Sequence, residues 1–182
     1  MVYMLLGEGF EEIEAIAPLD LLRRVDVDVT TVSLTDDLLV RGGHDIIVQA
    51  DISLGDVNFD TLEMLVLPGG GSGVNSIANS SDAMDLIFRV WKEKKKLAAI
   101  CAAPSLLAKS GVLEGLKLVC HPGVSKIVID AGGILQTECK TFTDENLITG
   151  KSAGTSMDFG FELIAALYNR ETADNLRSEI FY

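Results

Sequence analysis

The 182-residue sequence is short of the residues that build several common kinds of protein. Its three cysteines, Cys101, Cys120 and Cys139, are widely spaced with no CxxC pair, so neither a disulfide scaffold nor a zinc ribbon can be drawn from them. The two histidines, His44 and His121, complete no metal pattern, and the reading is no metal and no cofactor. Basic residues are scarce: 15 Lys and Arg stand against 27 Asp and Glu, for a formal charge of −12. Such a chain repels phosphate backbones, which excludes nucleic acid as an expected partner. The only basic run, Lys92 to Lys96 interrupted by Glu93, falls where a helix should end and complements its dipole. No apolar run approaches the ~20 residues a membrane span needs. The apolar run at the N-terminus is too short, and lacks the basic flank, for a secretory signal. An odd cysteine count without such a signal points to a reducing cytoplasm. There is no repeat, low-complexity tract or linker, so residues 1–182 read as a single domain.

What is abundant is apolar material, 48% of the residues, with a mean hydropathy of +0.30. It comes in short runs that alternate with amphipathic stretches, the pattern of an α/β fold. Val2 to Leu6, Met64 to Leu67, Leu97 to Ile100 and Leu147 to Thr149 read as buried strands. Val27 to Leu34, Asp45 to Ala50 and Lys117 to Cys120 read as further strands, and Ile134 to Thr143 as a small hairpin or edge pair. Helices are expected at Glu11 to Arg24, Ala83 to Lys95, Pro104 to Lys109, Gly123 to Ala131, Gly154 to Leu167 and Thr172 to Glu179. In the first of these Ile13, Ile16, Ala17 and Leu21 form the apolar face, and Pro18 implies a kink or a restart.

Three segments carry chemistry. In LAAICAAPSLLA an apolar strand ends at Ile100, Cys101 follows, and Ala102 and Ala103 allow a tight path into a helix. A side chain at such an elbow projects from the carboxyl end of the sheet, where α/β proteins bind ligands. A small cysteine packed between strand and helix is the other reading of the same pattern. In LPGGGSG, after the strand ending at Leu67, glycines let the backbone approach a ligand and turn N–H groups inward. Neither Walker nor dinucleotide spacing is present, and a plain strand-to-helix turn fits as well. In GFEEIEA, Glu11 and Glu12 complement the helix dipole, whereas Glu14 sits where a helix after the first strand would aim it inward.

Together these segments resemble the ThiJ/PfpI superfamily, specifically its Parkinsonism-associated deglycase branch. GFEEIEAIAP is similar to the family's acidic motif, LPGGGSG to its glycine turn, AAICAAP to its nucleophile elbow, CHP to the segment bearing its histidine, and GKSAGTS to its later strand-to-helix turn. The resemblance implies a flavodoxin-like three-layer sandwich, a mostly parallel sheet with helices on both faces and the cysteine at the elbow. It also implies catalytic Cys101, Glu14 and His121, and a homodimer with the first helix near the interface. Ala102 stands where the protease-like branch has a histidine, which argues against a peptidase. His44 and Lys151 stand where close relatives carry arginines. Cys120, beside His121, reads as a secondary thiol, and Cys139 as incidental.

The activity so implied is cysteine-dependent and glutathione-independent, on methylglyoxal-like α-oxoaldehydes or their early adducts with thiols and amines. Cys101 would attack the aldehyde, the N–H groups of Gly70 and Ala102 would hold the oxyanion, and Glu14 would move the proton. Lowering a thiol from ~8.5 to ~5.5 takes about 4 kcal/mol, more than the ~2 kcal/mol a helix N-terminus offers. A protonated Glu14 bonded to the sulfur is therefore expected to supply the rest. The alternative is a redox-sensing, stress-protection protein with a chaperone-like role and little turnover, in which Cys101 is oxidised to sulfinate.

Overall fold

The computed structural model describes residues 1–182. In chain order β1 (Val2–Leu6) leads to α1 (Glu12–Arg24), β2 (Val29–Ser33), β3 (Leu39–Arg41), β4 (Ile47–Gln49), β5 (Ile52–Ser53) and β6 (Met64–Leu67). Then come α2 (Gly71–Ala78), α3 (Ser81–Lys92), β7 (Lys96–Ile100), α4 (Pro104–Lys109), β8 (Lys117–Leu118), α5 (Ser125–Asp130) and β9 (Ile134–Leu135). The chain closes with β10 (Thr141–Asp144), β11 (Leu147–Gly150), α6 (Ser156–Leu167) and α7 (Arg170–Glu179).

β1, β6 and β11 are buried at every position, as strands covered on both faces must be. They belong to a seven-stranded sheet of order β10-β11-β7-β6-β1-β2-β5, in which only the β10–β11 pair is antiparallel. The run β2-β1-β6-β7-β11 is the 2-1-3-4-5 order of flavodoxin-like folds. Alternate residues of β1 enter opposite cores: Val2, Met4 and Leu6 pack with α1, α6 and α7, while Tyr3 and Leu5 pack with the side of α2 to α5. The strand order reverses between β1 and β6, so the loops after β1, β6 and β7 converge at one carboxyl edge, where ligands bind in such sheets. No helix is long and apolar enough to cross a membrane.

The structure departs from the sequence pattern in four places. Ile134 to Thr143 is not a hairpin: β9 pairs in parallel with β8, whereas β10 forms an antiparallel hairpin with β11. Two-residue strands leave no periodicity to read, which is why both partners were assigned to each other. The segment around Asp45 to Ala50 contributes β4, which joins β3 in a separate antiparallel ribbon, and β3 itself had no visible signal. Pro18 neither breaks nor restarts α1, which is assigned as one helix from Glu12 to Arg24; its missing N–H leaves the Glu14 carbonyl without its usual donor. The apolar face of α1 agrees with the sequence reading at Leu21 but not at Ile13 and Ile16. Ile13 is 50% and Ile16 39% exposed, while Glu14, Ala15, Pro18, Leu19, Leu21 and Leu22 are buried. Helix α6 crosses behind them so closely that a Cβ on Gly160 would lie 2.6 Å from Leu21 Cδ1 and 3.1 Å from Pro18 Cα.

Candidate active site

β7 ends at Ile100, and Cys101 takes a left-handed backbone, φ +63°. That conformation costs a non-glycine residue about 1–2 kcal/mol and persists only where the surroundings enforce it. Here the Cys101 N–H donates to Gly150 O at 3.0 Å, Cys101 O accepts from His121 N–H at 2.8 Å, and Ala103 N–H donates to Ile100 O at 3.0 Å. Three segments thus pin the turn, and the half-buried thiol stands at the carboxyl edge of the sheet.

α1 brings Glu14 to the same place, with no solvent exposure. Its Oε2 accepts a buried hydrogen bond from Gly69 N–H at 2.9 Å. Its Oε1 has no hydrogen-bond partner, and the Cys101 side chain lies close by across Gly69. Any side chain at Gly69 would destroy the arrangement, since its Cβ would overlap Glu14 Oε2 and lie 2.8 Å from Cys101 Cβ. Gly70 follows with φ +88°, and its N–H and that of Ala102 favour the thiolate form of Cys101. The glycine turn after β6, the elbow after β7 and the helix after β1 are therefore brought together, as the sequence motifs imply.

The acidity of the pair follows the sequence expectation in direction for Glu14 and runs against it for Cys101. Burial pushes Glu14 up to about 7, with bonds from Cys101 and Gly69 acting in the opposite direction. Burial, and then the charge and hydrogen bond of Glu14, push Cys101 up to about 12, against the N–H groups of Ala102 and Gly70. Two acids share one partly desolvated space, so their titrations are coupled and loss of a proton from one makes loss from the other harder.

His121 is adjacent by backbone rather than by ring. Its imidazole is exposed, Nδ1 accepts from Gly123 N–H at 3.1 Å, and no side-chain hydrogen bond joins it to Cys101 or Glu14. That acceptor role places the ring proton of the neutral form on Nε2.

Glu12 stands in the first turn of α1, where its charge complements the dipole, but it is buried rather than solvated. It is 6% exposed and accepts from His44 N–H at 2.7 Å, from Ile46 N–H at 3.5 Å and from His44 Nδ1 at 2.9 Å. Against the opposing effect of burial, these bonds hold Glu12 below the usual carboxylate range; they also raise His44, helped by Glu11. The effect is to clamp the β3–β4 turn to the start of α1, and a Cβ on Gly42 would collide with the Glu12 carboxylate. Glu11, Glu12 and His44 offer ligand atoms within 4.8 Å of one another, but the Glu12 oxygens are already occupied by the loop. The one sequence signal for Glu12 was a third carboxylate in GFEEIEA beyond those the dipole needs. Lys151 lies just past β11 with Nζ bonded to Thr137 O at 2.6 Å, away from the thiol–carboxyl pair.

A cysteine at a left-handed strand-to-helix turn, facing a buried glutamate on a flavodoxin-like sheet, places the chain in a recognisable class. Residues 1–166 match the DJ-1/PfpI family, and the chain belongs to it. Protein dj-1beta of Drosophila melanogaster is 33% identical over 168 residues, 92% of this chain and 89% of that one. Its crystal structure gives a TM-score of 0.94 at 31% identity, covering 99% and 96% of the two chains. A deglycase of Pyrococcus abyssi is 29% identical over 153 residues, 84% of this chain and 90% of that protein. A glutathione-independent glyoxalase of Schizosaccharomyces pombe is 25% identical over 177 residues, 93% and 92% of the two. The chain spans only 37% and 42% of two Arabidopsis thaliana relatives, DJ-1 homologs B and A.

Proposed function

We propose that the chain is a glutathione-independent glyoxalase or deglycase acting on methylglyoxal-like α-oxoaldehydes or their early adducts. The observation that carries this reading is geometric: the half-buried Cys101 at its left-handed turn and the fully buried Glu14 carboxyl stand together against Gly69 at the carboxyl edge of the sheet. With Glu14 holding the proton, the sulfur is a thiolate and attacks the aldehyde carbon, and the carbonyl electron pair moves to oxygen. The N–H groups of Gly70 and Ala102 stabilise that oxyanion, which takes a proton to give the hemithioacetal. Glu14, now the base, removes the proton from the former aldehyde carbon and returns it to the adjacent carbon, converting the hemithioacetal into a thioester of the 2-hydroxyacid. Water cleaves the thioester, releases the acid and regenerates the pair. His121 Nε2 is the auxiliary proton carrier. No external oxidant is needed, because one carbon of the substrate is oxidised as its neighbour is reduced. Incubated with methylglyoxal and no glutathione, the wild-type chain is expected to form one lactate per methylglyoxal consumed. Consumption without lactate would reduce the chain to a scavenger and overturn the proposal.

Redox sensing is the second reading, favoured by the partial exposure of the same thiol. Peroxide would add one oxygen in each of two steps, leaving water each time, and a protonated Glu14 would hydrogen-bond the sulfinate. Either role is read in a cytoplasmic homodimer. The outward face of α1, with Ile13 and Ile16, and Leu39 and Ile47 on the β3–β4 ribbon, are large apolar side chains at least 39% exposed, the composition of a surface that a second copy covers. Sedimentation is expected to give twice the chain mass of 19.5 kDa, and a 19.5 kDa species at micromolar concentration would exclude this assembly.

A further inference from the structure

A second cavity lies behind the cysteine elbow, and the proposed reaction makes no use of it. It encloses about 170 Å³ between the turn after β8, the end of β9 and the residue after β11. Val119, Pro122 and Leu135 form apolar walls, and Cys120, Ser125, Gln136, Thr137 and Lys151 supply the polar groups. Lys151 is fixed by its bond to Thr137 O, which leaves two of its three N–H donors for another acceptor. The Ser125 hydroxyl has only the Cys120 sulfur, at 3.9 Å, as a side-chain partner. Burial pushes the Cys120 thiol up, so it is neutral at pH 7 and does not offset the ammonium.

We propose that this cavity binds a short monocarboxylate, its two oxygens taken by Lys151 and Ser125 and its alkyl end placed on Val119 and Leu135. The volume equals that of about five or six waters, at ~30 Å³ each, which suits a ligand of about six heavy atoms. One fixed cation balances one negative charge; a phosphate dianion would leave a charge desolvated and unpaired. The site is joined to the nucleophile through the backbone. Its residues Cys120 and Lys151 are the direct neighbours of His121 and Gly150, the two residues bonded to the Cys101 backbone. Binding requires no turnover at Cys101, so this site and the proposed reaction stand or fall separately.

The thiol in the wall allows a direct test with two alkylating reagents of nearly equal size, anionic iodoacetate and neutral iodoacetamide. In a full-length Cys101→Ser, Cys139→Ser chain Cys120 is the only thiol. The ratio of its rates with iodoacetate and iodoacetamide is expected to exceed that of free glutathione by at least about fivefold, as an ammonium lining the same cavity would produce. Lys151→Gln is expected to return the ratio to the glutathione value, and sodium lactate to slow the iodoacetamide reaction saturably. A ratio at the glutathione value, a ratio indifferent to Lys151→Gln, or a Cys120 that neither reagent reaches until urea is added would each overturn the proposal.

Discussion

Cys101→Ser is expected to lower kcat/KM for methylglyoxal by at least about 10³-fold while leaving the fold intact. A serine hydroxyl is a much weaker acid than a thiol, so the proton Glu14 can accept from sulfur stays on oxygen and the nucleophile is lost. The backbone does not depend on the exchange. The turn is held by Gly150 O, His121 N–H and the Ala103–Ile100 bond, none of which involves the side chain. Lactate production and a thermal melt on the same preparation separate the two effects. Retention of more than a tenth of the wild-type kcat/KM would remove Cys101 from the chemistry. The same variant decides the redox reading: intact mass after mild peroxide should gain two oxygens in wild type and none in Cys101→Ser. A gain that persists in the variant places the oxidised residue elsewhere.

Glu14→Gln is expected to have two large effects of opposite sign. Loss of the proton carrier should lower kcat/KM by about 10²–10⁴-fold. In wild type the alkylation rate of Cys101 should rise with pH through about 7, where the pair loses its first proton; that step should vanish in Glu14→Gln, since an amide cannot titrate. Stability should move the other way. The folded-state pKa of Glu14 is raised from 4.5 to about 7, so its stabilising contribution is full below pH 4.5 and is lost as pH climbs through 7. At pH 8 the wild type carries a burial cost of up to about 3 kcal/mol that the amide avoids. An amide N–H set against sulfur offsets part of this, leaving roughly 1–3 kcal/mol in favour of the variant at pH 8 and little near pH 4. Urea denaturation at the two pH values measures it, and a pH-independent difference would show that Glu14 is not a raised, buried acid. The expected gain at pH 8 is the usual exchange of stability for function at an active site.

The parts of this arrangement that a local pattern encodes were readable before any coordinates. Cys101 is marked by an apolar strand that ends in small residues, Glu14 by its place after the first strand, and Gly69 and Gly70 by a glycine turn that only close approach explains. What was hidden depends on distant segments. Glu12 looks like any acid in a first helical turn, and its burial is created by the 42–46 loop, more than thirty residues away. The apolar face read on α1 holds at Leu21 but not at Ile13 and Ile16, because apolar residues occur on both sides and periodicity alone cannot say which side meets the sheet. The acidity of the thiol likewise depends on distant segments. Helix and hydrogen-bond contributions can be counted from sequence, but the burial cost that outweighs them is a property of the packed fold.

Ile13 and Glu14 are adjacent in the chain and point in opposite directions, one to solvent and one to the nucleophile. A 13-residue helix is a stiff rod about 20 Å long, and Gly160 lets α6 brace it from behind without slack. Whatever seats against Ile13 and Ile16 therefore fixes the position of the carboxyl as well. In the proposed dimer, a second copy seated on Ile13 and Ile16 would thereby also hold the helix that carries the Glu14 carboxyl.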